Sequence, residues 1–279
     1  MTGVVIKVNS NRYFVNIENQ VLTCSAYGKV KDYGIKVGDL VEIENQSIKK
    51  VLPRKNDLVR PNVANVDAVV IFVAPLPKPD YLLIDKLIIN SIKLGLEIIF
   101  VVNKNDLSKS FFTEFCCEYK DVDAKFYSIN TIDGFGIDDI KNELKGKLSV
   151  LAGQSAVGKT SFINALFNLE LKTGELSEKI GRGKHTTTSS KIYQQDGIKV
   201  IDSPGFAVIY ASVTHKDVQE YYLEYLELAP NCKFRGCKHI EEPNCAVKEA
   251  VEKGKLSKER YTRYIEIYKE LLRRKENYD

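Results

Sequence analysis

The sequence has no apolar run long enough to cross a bilayer. Its longest, around Ala68 to Ala74 and Ile98 to Val102, fall far short of the roughly 20 residues that a spanning helix needs. It also lacks internal repeats and low-complexity tracts, and with 44% hydrophobic and 28% charged residues it is not a disordered chain. Met1 to Asn11 alternates without a charged leader and a long apolar stretch, so no signal peptide is expected. Cysteine is too sparse for a disulfide framework: there are six in 279 residues, and Cys24, Cys116 and Cys117 are scattered. These absences point to a soluble, cytoplasmic protein with no membrane partner, and a monomer is expected.

What charge there is lies unevenly. Residues 1–60 carry ten Lys/Arg against six Asp/Glu, which is the whole net charge of +4. A basic excess confined to one small unit suggests a footprint for a polyanion.

Three units are expected: 1–64, 65–215 and 216–279. In the first, Tyr13, Val15 and Ile17 alternate with polar or outward positions, and Gln20–Ala26, Val37–Ile43 and Ser47–Leu52 add β-rich runs broken by Gly28, Gly34 and Gly38. That pattern predicts an all-β OB-like barrel for RNA, though an SH3-like barrel would read much the same. Pro53 to Pro61, with Arg54, Lys55 and Arg60, reads as a linker.

From Ala68 strands alternate with helices, which predicts an α/β parallel sheet with ligands at the strands' carboxyl ends. Ala68–Ala74, Ile98–Val102, Lys125–Ser128 and Leu148–Ala152 are the expected buried strands, and Asp80 should cap the helix that Gly95 ends. Asp196-Gly197 predicts a hairpin. A helix is expected from a Thr214 cap to about Leu228 with His215 on its surface, and a last one from Lys258 to about Lys275. On the latter, Tyr261, Tyr264, Tyr268 and Leu271 form a core stripe, while Arg260, Arg263, Arg273 and Arg274 read as a mixed solvated surface.

The chemistry sits on the loops after these strands. Gly153, Gln154, Ser155, Ala156, Val157, Gly158, Lys159 and Thr160 spell G-x-x-x-x-G-K-T between a strand and a helix, with Ser161 next. Such a loop folds its backbone N–H groups around phosphates at a helix N-terminus. Lys159 is expected on the β- and γ-phosphates and Thr160 on Mg²⁺. Asn103-Lys104-Asn105-Asp106 follows the strand Ile98–Val102. The Asp106 carboxylate can accept both donors of guanine, Asn103 can meet the base's other polar edge, and the Lys104 stem can cover its face. Adenine offers no such donor pair, which disfavours an ATP-dependent kinase or motor. Ser128 and Asn130, after the third strand, add a further base contact.

Asp202-Ser203-Pro204-Gly205 fits D-x-x-G, whose Asp holds Mg²⁺ through water and whose Gly205 N–H senses the γ-phosphate. Gly181 to Thr188 is a glycine hinge followed by His185 and three threonines, of which Thr187 or a neighbour can close on Mg²⁺. Phe206 stands where Ras-like enzymes place a water-orienting Gln, and it cannot hydrogen-bond that water. His185, one of three histidines, is the candidate replacement. A K⁺-assisted route lacks its loop Asn, since Ala156 is there. Finally, Cys232, Cys237, His239 and Cys245 supply three thiolates and one imidazole, the donor set of a closed structural Zn²⁺ site. Lys233, Arg235 and Lys238 lie between these ligands.

The guanine motif precedes the phosphate loop, and both switch elements follow it, a circular permutation of the usual order. With this order, G-x-G-x-H-T-T-T at 181–188, D-S-P-G at 202–205 and the Cys/His cluster, the chain closely resembles the circularly permuted, ribosome-small-subunit-dependent GTPases of the GTPase A family. The resemblance spans nearly the whole chain. It implies binding to the small ribosomal subunit and its rRNA during late maturation, with GTP hydrolysis to GDP stimulated by the particle and driving release. A permuted GTPase of another RNA particle, and a GTP-gated RNA-binding scaffold with negligible hydrolysis, are the alternatives.

Overall fold

The computed structural model of the chain describes residues 1–18, 20–59, 61–171, 190–202 and 213–276. Strands β1 (Thr2–Asn9), β2 (Arg12–Ile17) and β3 (Gln20–Ala26), a short helix α1 (Gly28–Asp32), and strands β4 (Leu40–Glu44) and β5 (Ser47–Val51) make the first unit. They pair as β1-β2-β3-β5-β4, and β4 returns to β1, so a five-stranded barrel closes in the OB-type order. Every second residue turns inward, and Val5, Tyr13, Val15, Cys24, Val41, Ile43 and Ile48 fill the interior. The strand expected from Val37 begins only at Leu40. Gly38 sits at φ +92°, and a Cβ there would lie 2.0 Å from the Ala64 carbonyl oxygen, so the chain turns instead.

The expected linker is not loose. Arg54 Nε donates to Asp39 Oδ1 at 2.7 Å and its Nη1 to Asp57 Oδ2 at 2.7 Å, with the Arg54 and Asp39 side chains 10% and 0% exposed. Lys36 also pairs with Asp57, and Lys55 with Asp67. Part of the basic excess of residues 1–60 is therefore spent inside the molecule. Arg60 lies outside the described residues.

After a small hairpin, β6 (Asp57–Leu58) and β7 (Val63–Ala64), the α/β unit begins. Its strands are β8 (Ala68–Val73), β9 (Glu97–Val102), β10 (Ala124–Ser128), β11 (Leu148–Gly153), β12 (Lys191–Gln195) and β13 (Ile198–Asp202), in the order β10-β9-β8-β11-β13-β12. All run parallel except β12, joined to β13 through Asp196 and Gly197, both at positive φ. Helices α2 (Tyr81–Lys93), α3 (Phe111–Glu118), α4 (Ile137–Leu144) and α5 (Lys159–Phe167) cover the two faces. Asp80 caps α2 by accepting from Leu83 N. Because both faces are covered, β8 and β11 are buried at every residue. β12 also pairs with β1, at Lys7 opposite Lys191, so barrel and α/β unit share one eleven-stranded sheet.

The C-terminal unit holds a 3-10 turn at Val218–Tyr221, α6 (Leu223–Leu228), α7 (Ala246–Glu252) and α8 (Lys258–Glu276). The single helix expected over 214–228 is broken. Tyr222 is extended, φ −111° and ψ 90°, which lets its ring stack on Tyr225 at 4.9 Å and meet Tyr264 edge-on. Burial of three tyrosines outweighs helical continuity. Asp217 accepts from the Thr214 N–H and hydroxyl, closing a turn rather than extending a helix. His215 is half-buried, edge-on to Tyr268, not on an open surface. Tyr264 is wholly buried, with Tyr261, Tyr268 and Leu271 packed around the same core. Arg260 and Arg263 depart from the sequence expectation: Arg260 is buried and Arg263 half-buried, each against carboxylates rather than free in solvent. No helix among the described residues is long and apolar enough to cross a membrane.

Candidate nucleotide site and metal centre

The carboxyl ends of β8, β9, β10, β11 and β13 lie at one edge of the parallel sheet, and the candidate residues stand there. β11 ends at Gly153, whose φ is +118° and whose hypothetical Cβ would lie 2.3 Å from the Phe72 carbonyl oxygen; only glycine fits against β8. The loop then passes through exposed Ser155 and Ala156, the latter at φ +64°, before Gly158 at +99° opens α5. Thr160 and Ser161 are half-buried in that helix's first turn. A helix N-terminus behind a glycine-rich loop presents unpaired N–H groups and a positive dipole end, which suits an anion.

The Lys159 ammonium donates to the Gly153 carbonyl at 2.8 Å and to the Gln154 carbonyl. Burial pushes its pKa down to about 8, and the nearby Asp202 carboxylate opposes the shift. Asp202, at the end of β13, is raised by the same burial and restrained by Lys159. Each charge opposes the shift that burial imposes on the other, so this end of the site brings an ammonium and a carboxyl group together.

Asn103 is fully buried and acts as a brace. Its Nδ2 donates to the Val157 carbonyl at 3.0 Å and its Oδ1 accepts from Thr131 N at 3.2 Å. The amide expected at the base's edge thus ties together three loops, and a Cβ on Gly158 would lie 2.1 Å from that Nδ2. Lys104, left-handed at φ +60°, donates to the carbonyls of Leu76 and Ala156, both at 2.8 Å. Asp106 is exposed, and its Oδ1 accepts from Asn130 Nδ2 at 3.2 Å. Asn130, 4% exposed, also donates to Asp133 and accepts from Ile132 N. Ser128 ends β10, in register with Val102. An acceptor carboxylate held at a defined angle can read two adjacent donors on a ligand.

Thr131 was not singled out from sequence, and Gln154 was read only as part of the phosphate loop, although its side chain also accepts from Asp80 N at 2.9 Å. Thr131's place just after Asn130 was the available signal; nothing local flagged Gln154's partner, 74 residues away. His185, Thr187 and Gly205 lie outside the described residues, as do the other threonines of their segment and Phe206.

A second centre lies in the C-terminal unit. The ligand atoms of Cys232, Cys237, His239 and Cys245 all lie within 4.8 Å of one another, and all four residues are buried or half-buried. Cys232 Sγ is 3.9 Å from Cys245 Sγ, and His239 Nδ1 is 3.2 Å from the latter. Ligand spacings of this size are those of a tetrahedron around one ion with metal–sulfur bonds near 2.3 Å. Four protein donors would fill such a tetrahedron and leave no open position on a bound ion. His239 is held at φ +59° while Tyr261 and Tyr264 donate to the carbonyls of His239 and Lys238.

Comparisons with known proteins find relatives along nearly the whole chain. The family model described as RsgA GTPase matches residues 51–211. A small ribosomal subunit biogenesis GTPase RsgA from Caldanaerobacter subterraneus subsp. tengcongensis is 38% identical, over 96% of this chain and 95% of that protein. The protein of the same description from Thermotoga maritima is 37% identical over 98% and 97%. Among solved structures, YjeQ from Thermotoga maritima superposes with a TM-score of 0.83 at 34% identity, covering 97% of this chain and 98% of that one. YloQ, described as a circularly permuted GTPase, gives 0.79 at 27% identity over 98% and 95%.

Proposed function

The chain belongs to the RsgA GTPase family, and from that premise we propose that it is a GTP-hydrolysing assembly factor of the small ribosomal subunit. The observation that carries the nucleotide reading is the Asn103 brace, which joins the guanine-motif loop to the phosphate loop although the two occur in permuted order. Asp106, aligned by Asn130, selects guanine. Gly153 to Gly158 wrap the phosphates, and Lys159 turns from the loop's own carbonyls to the β- and γ-phosphates. Thr160 and Asp202 hold a magnesium ion, which when bound neutralises charge on the transferring phosphoryl group. Thr187, His185 and Gly205 complete the site as its switch-side groups, His185 orienting the attacking water.

The flanking units hold the particle in this reading. On the barrel, exposed Lys29 and Lys31 lie between Tyr27 and Tyr33, at 73% and 55% exposure, and the Arg54 guanidinium sits 4.9 Å over the Tyr33 ring. Such an arrangement suits rRNA, whose phosphates and unpaired bases those groups meet. The Cys/His centre binds one Zn²⁺ and stiffens the loop that carries exposed Lys233 and Arg235. The units 1–64, 65–215 and 216–279 divide the work as RNA-binding barrel, GTPase and zinc module. The monomer works in the cytoplasm, and hydrolysis, stimulated by the particle, drives release.

Co-sedimentation of the full chain with purified small subunits at fixed salt tests this. Tighter association with a non-hydrolysable GTP analogue than with GDP is expected. Equal association in both states contradicts nucleotide-controlled release.

A further inference from the structure

A buried cluster of charges lies outside the nucleotide site. Asp85 of α2 is fully enclosed. Arg263 of α8 donates to Asp85 Oδ2 through Nε and to Glu118 Oε1 of α3 at 2.6 Å through Nη2. Arg260, one turn earlier and 4% exposed, pairs with Glu224 of α6 and brings Nε to 3.6 Å from Asp85 Oδ1. Rings enclose both guanidiniums: Tyr222 lies 4.8 Å from Arg260 and Tyr81 5.2 Å from Arg263. The C-terminal unit is thus clasped to the GTPase through α2.

The other end of α2 is tied to the phosphate loop. Residues 75–80 form a strap from β8 to α2. Gln154 accepts from Asp80 N at 2.9 Å and donates to the Lys78 carbonyl at 3.2 Å. Lys104 joins the Leu76 carbonyl to that of Ala156. Asp80, gripped by Gln154 through its N–H, is itself the cap of α2. Every link from the phosphate loop to the clasp is therefore a directional polar contact or a rigid helix.

We propose that the strap and α2 form a relay through which the phosphate loop sets the placement of the C-terminal unit, with Gln154 as its positioning residue and the Asp85 clasp as its far end. The loop has two alternatives for the same ammonium. Lys159 bonds either the carbonyls of Gly153 and Gln154 or the phosphates of a bound nucleotide. When the ammonium leaves, the backbone at Gln154 loses a charged partner, and the Gln154 side chain passes the adjustment to Asp80. A di- and a triphosphate draw the lysine differently, which supplies the differential interaction that any relay requires.

Coupling of this kind is reciprocal, so disturbing the clasp must alter nucleotide binding. The test measures affinities of the full chain for fluorescent GDP and for a fluorescent non-hydrolysable GTP analogue. Arg263→Met keeps the stem and removes the charge; the expected result is a change of about fivefold or more in the ratio of the two affinities, with one zinc retained per chain. Gln154→Ala alters binding by itself, and adding Arg263→Met to it should produce little further change in the ratio. An unchanged ratio in Arg263→Met, or effects that multiply in the double variant, overturns the relay. Should Arg263→Met lose its zinc or fold, Arg263→Lys and hydrogen exchange in the unaltered protein decide. Protection of residues 258–273 should differ between the two nucleotides, and identical protection overturns the proposal.

Discussion

The GTPase unit is joined to its two neighbours by seams of different make-up, mainly apolar packing and strand pairing toward the barrel and mainly ionic toward the C-terminal unit. Toward the barrel, Val4, Ile6 and Val8 pack on the core beneath the parallel sheet, and β1 continues that sheet through β12. Toward the C-terminal unit the seam is a clasp of two arginines and three carboxylates, Asp85, Glu118 and Glu224, with Ile89 as the buried apolar contribution of α2. An apolar seam is non-directional and tolerates small shifts. An ionic one demands a particular geometry and is costly when half broken. The contrast teaches that the barrel is built into the GTPase, while the C-terminal unit is held in a specified pose that a change of geometry can release.

The largest expected effect comes from removing the metal. Structural zinc sites contribute on the order of 10 kcal/mol of apparent folding free energy, so Cys245→Ser or chelation should unfold the C-terminal unit. Hydrogen exchange should then show α7 and α8 unprotected and β1 to β5 still protected. Simultaneous loss of the barrel would erase the contrast between the seams, and metal analysis finding no zinc would remove its premise. Next come paired substitutions across the seams. Asp85→Ala leaves buried Arg260 and half-buried Arg263 short of a partner and should cost about 3–5 kcal/mol. Ile6→Ala, in the apolar seam, should cost about 1–2 kcal/mol. Chemical denaturation of both variants checks the order, and a larger loss for Ile6→Ala would reverse the reading. The smallest structural effect is expected from Asp106→Asn, which touches neither seam. It should leave melting unchanged while shifting preference from guanosine toward xanthosine nucleotides, read by competition binding. Unaltered GTP affinity would remove Asp106 from base recognition.

The parts legible in the sequence share a physical trait: their signal is local. β8 and β11 were readable because burial on both faces gives unbroken apolar runs, and the phosphate loop because glycines at positive φ must sit at set intervals. The Cys/His centre was readable because its four donors fall within fourteen residues. What escaped depends on partners far along the chain. Arg263 meets Asp85 across 178 residues, and without that partner an arginine among acids is indistinguishable from a solvated one. Arg54 was hidden in the same way, since Asp39 gives no sign of being buried until the barrel closes. The break at Tyr222 is also a tertiary effect, set by rings from two other turns of chain that no local propensity reveals.

Phosphate release from GTP by the full chain, measured alone, with purified small subunits and with purified large subunits, bears most directly on the assignment. Small subunits should accelerate release by at least about tenfold, large subunits should not, and Lys159→Ala should abolish it in every arm. Equal release in all three arms, or stimulation by large subunits alone, would contradict a small-subunit GTPase. Negligible release throughout, with GTP still bound, would mark a nucleotide-gated RNA-binding scaffold instead.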